Sequence, residues 1–114
     1  MSGIDKTIHE PARLRILTLL ASVDVMDFSF LLMTLGLTKG NLSSHMDRLE
    51  KVGYIAVEKT FNGKVPHTQY KLTSDGRGAL ETYWRELDSI RQMVMPEVDA
   101  SPVNNQADAS DATS

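Results

Sequence analysis

Hydrogen-bonding and basic side chains are concentrated in "LTKGNLSSHMDRLEKVGYI", the segment from Leu37 to Ile55. Asparagine and serine are mediocre helix formers, and a helix face that only met water would more often carry Glu, Lys, Gln or Ala. Their side chains donate and accept hydrogen bonds, while the neighbouring Lys and Arg side chains add positive charge. This chemistry suits an anionic partner that also presents hydrogen-bonding groups.

On a helical wheel this segment separates into an apolar face and a polar face. Met46, Leu49 and Gly53 lie within about 40° of Leu42, which predicts that this face packs against other helices. The opposite face is short-chained near its N-terminus and basic further on, and it comprises Gly40, Ser44, Asp47, Arg48 and Lys51, with Asn41 and Ser43 at its flanks. Asp47 can pair with Lys51 four residues on. For His45, at the edge of the apolar face, packing and ligand contact are equal alternatives.

Helix caps and apolar periodicity predict the elements that precede this face. Pro11 suits the first position of a helix that runs to about Ser22, and a short helix over residues 4–9 can precede it. Asp27 and Gly36 suit the N-cap and the C-terminal stop of a second helix of about two turns. These helices would cover the apolar face of the opening segment.

The opening segment itself is predicted to be a third helix. Thr38 can cap its N-terminus, and Gly53 can end it after Val52 in a left-handed conformation. Two helices joined by a tight turn that contains glycine are typical of a helix-turn-helix.

The residues after this helix change to the period of strands. "YIAVEKTF" and "TQYKL" are rich in β-branched and aromatic residues, and Asn62-Gly63 between them favours a tight turn. Pro66 is expected to keep the return strand at a sheet edge. The hairpin carries basic and polar residues that could contact the backbone of an anionic partner. They are Lys59, Lys64, His67, Thr68 and Lys71. Alternatively, Lys59 and Lys71 could serve only to prevent this sheet edge from pairing with the sheet edge of another molecule.

A long final helix is predicted from Thr73 or Ser74 onward. Its apolar residues recur at spacings of three and four, and they are Leu80, Tyr83, Leu87, Ile90 and Val94, with Trp84 on the flank. This seam either covers the domain's own core or pairs with a second copy, together with residues 4–9. Because the seam continues beyond what one small domain needs, we expect a homodimer.

Length and composition narrow the class of protein. The chain has 114 residues, no cysteine and a net charge of −3. Residues 96–114 hold four acidic and no basic residues and are predicted to be a disordered acidic tail, which leaves a nearly neutral domain over residues 1–95. The absence of thiols and of a long apolar run favours a cytoplasmic protein with no membrane segment. No metal-ligand spacing, phosphate loop or nucleophile motif is evident, so we expect no metal, no cofactor and no enzyme activity.

Three stretches, "IHEPARLRILTLLA", "LGLTKGNLSSHMDRLEKVGYI" and "YKLTSDGRGAL", closely resemble the short winged-helix transcriptional regulators related to the MarR and ArsR groups. The resemblance runs from about Ile4 to Ile90. It implies an α+β, mainly helical fold, a winged helix-turn-helix with three helices, a β-hairpin wing and a long C-terminal dimerisation helix. It also implies a dimeric regulator that binds double-stranded DNA.

With this resemblance, the expected function is sequence-specific DNA binding, as a homodimeric repressor that reads the major groove with residues 38–52 and contacts backbone with the wing at 59–71. The predicted DNA contacts are Thr38, Lys39, Gly40, Asn41, Ser43, Ser44, His45, Arg48, Lys51, Lys59, Lys64 and His67. The predicted dimer contacts are Ile4, Ile8, Leu80, Tyr83, Trp84, Leu87, Ile90 and Val94. Two alternatives stay open: a protein-interaction module, and a receptor dimer with a small-molecule effector between the long helices.

Overall fold

The computed structural model describes residues 3–94, and the predicted acidic tail lies outside the described residues. Helices and strands follow one another in the order of a winged helix, which confirms the predicted fold class. Their bounds are α1 Pro11–Ala21, β1 Met26–Asp27, α2 Phe28–Leu35, α3 Lys39–Lys51, β2 Ile55–Asn62, β3 Val65–Leu72 and α4 Ser74–Val94. The chain divides after Tyr83 into two compact units, the second of which starts at Trp84.

The ends of α1 and α3 and the C-terminal end of α2 follow the predicted caps, whereas Asp27 precedes α2 without a side-chain cap hydrogen bond. Pro11 opens α1, and the Glu10 carboxylate accepts a hydrogen bond from the Arg13 amide at 2.8 Å. Thr38 Oγ1 accepts from the Asn41 amide at 3.1 Å, which caps α3. Gly36, at φ 68°, ends α2 in the left-handed region, where glycine has no steric penalty.

The predicted short helix at residues 4–9 is wrong, because the segment is a single turn tied to Asp5. The Asp5 carboxylate accepts from the amides of Thr7 and Ile8, and its other oxygen accepts from the Tyr54 hydroxyl. Burial, followed by this hydrogen bond, raises the pKa of Tyr54 to about 12. These local bonds satisfy the backbone in place of a helical ladder.

The wing is longer than predicted and belongs to a three-stranded antiparallel sheet. β2 and β3 pair from Ile55↔Leu72 out to Asn62↔Val65, so only Gly63 and Lys64 form the turn. The strand order β1-β3-β2 places β3 in the middle, which corrects the expectation of an edge strand. β1 pairs with β3 only at Gln69 and Tyr70, and Pro66 lies beyond that pairing.

The core forms where α1, α2 and α3 meet the sheet. Its fully buried side chains are Ile8, Ile16, Leu17, Leu20, Leu31, Leu42, Met46 and Leu49. The predicted apolar face of α3 is therefore buried. Because α3 has only one apolar face, the burial of that face also determines which side of the helix meets solvent.

The junction between α3, β2 and α4 is a close backbone contact. Thr73 Oγ1 donates to the Gly53 carbonyl at 2.7 Å and accepts from the Gly76 amide at 2.9 Å, which caps α4. The Thr73 amide donates to the Tyr54 carbonyl at 3.0 Å. A Cβ added at Gly76 would lie 2.1 Å from that same carbonyl oxygen. Only glycine lets the first turn of α4 approach Tyr54 this closely.

We expect Gly76→Ala to lower the free energy of unfolding by about 2 kcal/mol or more, because backbone cannot move aside as a flexible side chain can. Gly78→Ala is the matched control, since a Cβ there meets nothing within 4 Å. Alanine at this exposed helical position should raise stability by roughly 0.5–1 kcal/mol. Urea denaturation measures the free energy of unfolding of both variants. Equal stability of the two variants would refute the close contact between Gly76 and the Tyr54 carbonyl.

Candidate nucleic-acid interface

The exposed face of α3 carries nearly all the residues that the sequence assigns to it. Burial of Leu42, Met46 and Leu49 turns the opposite side to solvent. The exposed residues on that side and at its N-cap are Thr38, Lys39, Gly40, Asn41, Ser43, Ser44, Asp47, Arg48 and Lys51. The face is thus continuous, polar and about three turns long.

The N-terminal end of this face is open to a close approach. A Cβ added at Gly40 would meet nothing within 4 Å. Thr38 occupies the Asn41 amide, whereas the amides of Lys39 and Gly40 precede the first hydrogen bond of the helix, from Leu42 to Thr38. Because the side chains at this end are short, a ligand can come close to the helix. The amides of the first turn can then donate hydrogen bonds to it.

His45 lies toward α1 rather than on the exposed face. Its Nδ1 is 3.2 Å from Arg13 Nη1 and 3.9 Å from Glu10 Oε1, and its side chain is only 20% exposed. This placement favours packing, the first of the two alternatives that the sequence leaves open. The sequence gives no sign of Arg13 and Glu10 as its partners, because they are more than 30 residues away.

The ion pair expected between Asp47 and Lys51 is absent from the described part of the chain. Asp47 instead borders a groove between α3 and the wing, with a volume of about 320 Å³. The groove is lined by Phe28, Ser43, Asp47, Glu50, Val57, Lys59, Thr68 and Tyr70. Burial, with the charges of Asp47 and Glu50, raises the pKa of the Tyr70 hydroxyl, so the two carboxylates act on this groove.

The wing presents its lysines and anchors its histidine. Lys59, Lys64 and Lys71 are exposed, with Lys64 in the turn itself. His67 Nε2 lies 3.1 Å from Asp27 Oδ1, which also accepts from Gln69 Nε2 at 3.3 Å. His67 therefore fastens the wing to the start of α2, a role that its position in the sequence does not reveal.

Two large apolar residues at the wing tip were not among the predicted site residues. The exposed fractions are 73% for Phe61 and 63% for Val65. In the sequence both residues are ordinary strand formers. The Asn62-Gly63 turn, which places them at the very end of the hairpin, is the signal that could have identified them.

The predicted dimer seam divides between the two units. Ile8, Leu80 and Tyr83 are buried within the first unit, where Tyr83 Oη lies 2.9 Å from His9 Nδ1. This burial favours the alternative in which these residues cover the domain's own core, and Ile4 is half-buried. In the second unit, the exposed apolar residues are Trp84, Ile90, Met93 and Val94, and Leu87 is half-buried.

Among residues 3–94, no cluster of His, Asp and Glu side chains has the arrangement needed to hold a metal ion. The same residues include no helix long and apolar enough to cross a membrane.

Residues 12–91 match the family model of a winged helix DNA-binding domain, which covers most of the chain and confirms the resemblance inferred from its motifs. A relative, the uncharacterized protein MJ0432 of Methanocaldococcus jannaschii, is 35% identical over 83 residues, which span 72% of this chain and 89% of the relative.

Solved structures with the same fold include transcriptional regulators. A transcriptional regulator homologue from Pyrococcus horikoshii is 26% identical, with a TM-score of 0.74 over 80% of this chain and 90% of that protein. A MarR-family regulator from Enterococcus faecalis has a TM-score of 0.67 at 21% identity, over 82% of this chain and 84% of that protein, and this likeness concerns the fold.

Proposed function

The chain belongs to the winged helix DNA-binding domain family, and from this membership we propose that it is a sequence-specific regulator of transcription, a homodimeric repressor that binds double-stranded DNA. The observation that carries the proposal is the continuous polar face of α3, opposite the buried Leu42, Met46 and Leu49. Such a helix can enter the major groove with its N-terminal residues against base edges. The proposal includes a cytoplasmic location.

Contacts with bases come from the N-terminal half of α3. Asn41, Ser43 and Ser44 are exposed and short, so the helix backbone can come near the groove floor. Asparagine can bond adenine through two atoms, and Ser can bond several bases. Arg48, one turn further on, is long enough to reach a guanine edge or a phosphate.

Contacts with phosphate come from cations on either side of the acidic groove. Asp47 and Glu50 would repel phosphate, so the backbone strands must follow Lys39, Lys51 and Lys64 instead. A carboxylate facing the groove can accept a hydrogen bond from the amino group of cytosine. The acidic residues thereby support base contacts between α3 and the wing and disfavour a phosphate there.

Dimerisation is part of the same proposal. The exposed Trp84, Ile90 and Val94 of α4 supply apolar surface to a second copy. A two-fold dimer presents two copies of α3 to half-sites about one helical turn apart. A repressor of this kind acts by covering promoter DNA.

A small-molecule effector is a second candidate function, favoured by the groove between α3 and the wing. Its volume of about 320 Å³ lies at the lower end of the range for small-ligand pockets. A molecule bound there would occupy the space that DNA needs. The alternative of a protein-interaction module has less support, because every exposed residue of α3 is polar or glycine.

We expect Arg48→Ala to weaken binding to a preferred duplex by about 1–3 kcal/mol and to relax its sequence preference, as the loss of a base contact does. Lys64→Ala should weaken all duplexes alike and reduce the slope of log affinity against log salt by about 1. Titration of genomic fragments at several salt concentrations, including the promoter of the protein's own gene, measures both.

Arg15→Ala, which removes an exposed arginine from α1, is the control and should leave affinity nearly unchanged. Equal losses on every sequence would make Arg48 a phosphate contact. Failure of the wild-type protein to bind any fragment at low salt would refute the proposed function.

We expect Ile90→Glu to convert dimers to monomers in sedimentation experiments, because a charge at a half-exposed apolar contact cannot be desolvated without a partner. Ser89→Glu adds the same charge at the next exposed position of α4 and should leave the dimer intact. An unchanged mass for Ile90→Glu would exclude this seam.

A further inference from the structure

The tip of the wing combines apolar side chains with positive charge. Phe61 and Val65 are among the most exposed large apolar residues of the described chain, and Pro66 is exposed beside them. Lys59 and Lys64 lie within the same short stretch, and residues 59–66 include no acidic side chain. A surface of this composition suits a partner that is anionic at its rim and apolar inside.

The strand register shows which side of the wing Phe61 occupies. Val57↔Tyr70 and Lys59↔Thr68 are cross-strand pairs whose side chains line the groove facing α3. Side chains alternate between the two faces of a strand, so the next pair on this same face is Phe61↔Pro66. Phe61 therefore extends the α3-facing side of the wing past the groove, while Val65 points to the other side.

The hairpin holds Phe61 in place. Pairing of β2 with β3 continues through Phe61↔Pro66 to Asn62↔Val65, and the two-residue turn has Gly63 at φ 68°. Proline opposite Phe61 restricts the backbone of the return strand. The backbone at Phe61 is therefore fixed before binding, and only the side-chain torsions of the ring lose freedom when it binds.

We propose that Phe61, supported by Pro66, is a minor-groove wedge that inserts against a base step beside the major-groove segment bound by α3. This inference rests on the proposed DNA-binding function. Apolar side chains at such steps partly unstack the bases and bend the duplex away from the inserted ring. Lys64, in the turn of the wing, then meets a phosphate that borders the minor groove.

The wedge gives the protein a preference at base pairs that no side chain reads by hydrogen bonds. Pyrimidine–purine steps such as TA unstack at the lowest free-energy cost, so the preferred duplex carries one where the wing tip reaches the minor groove. This sequence preference is additional to the base contacts of α3.

The test uses duplexes selected by the wild-type protein from a random-sequence pool, with 2-aminopurine placed at successive steps beside the α3 site. Wild-type protein should raise the 2-aminopurine fluorescence at one step and bend the duplex, as measured by energy transfer between its ends. Phe61→Ala should abolish both signals and weaken affinity roughly 5- to 100-fold, as the loss of one aromatic–base contact does. The salt slope should not change, because no charge is removed.

Val65→Ala is the matched control, since it removes another largely exposed apolar side chain from the opposite face of the same tip. It should keep the fluorescence and the bend. If Phe61→Ala disturbs the hairpin, Phe61→Leu is the second variant, because it preserves strand packing. It should retain part of the bend.

Full affinity and an unchanged bend in Phe61→Ala would overturn the wedge while leaving the DNA-binding proposal in place. Loss of self-association in Phe61→Ala, with the bend unchanged, would overturn it in favour of a contact between copies. If the wild-type protein selects no duplex, the proposed function fails and the wedge fails with it.

Discussion

The close contact between Gly76 and the Tyr54 carbonyl holds together the elements that matter for binding. At this junction α3 has just ended, β2 is about to begin, and Thr73 caps α4 while bonding to Gly53. Asp5 is also joined to Tyr54, because its carboxylate accepts a hydrogen bond from the Tyr54 hydroxyl. Because the contact is between backbones, it holds the residue before β2 close to the first turn of α4. The wing begins at this junction, so its position beside α3 depends on these contacts.

Most basic side chains of the candidate interface lie apart from its two acidic side chains, although the whole domain is nearly neutral. Asp47 and Glu50 line the groove between α3 and the wing together with Lys59, whereas Lys39, Lys51, Lys64 and Arg48 are not among its lining residues. A net charge of −3 for the chain therefore says little about its partner. Under the proposed function, the positions of these charges determine where phosphate and base edges can meet the protein.

Much of the fold could be predicted because local signals and tertiary packing agree. Pro11, Thr38 and Gly36 act through bonds and dihedral angles a few residues away, and the period of Leu42, Met46 and Leu49 identifies a buried face. β1 was missed because two residues carry no periodicity. The placements of His45 and His67 depend on Arg13, Glu10 and Asp27, which only the folded chain brings near them. Likewise, no pattern in α4 shows where core packing at Tyr83 ends and surface available to a partner begins.

The central claim, that the polar face of α3 and the wing tip bind duplex DNA, is tested most directly by a nitrogen–proton NMR titration of the whole protein with a selected duplex. The largest amide shifts should fall on residues 38–48 and 59–66, with the exposed surface of α1 unaffected. If the largest shifts fall instead on residues 84–94, or on no segment at all, DNA does not bind where the fold presents these residues.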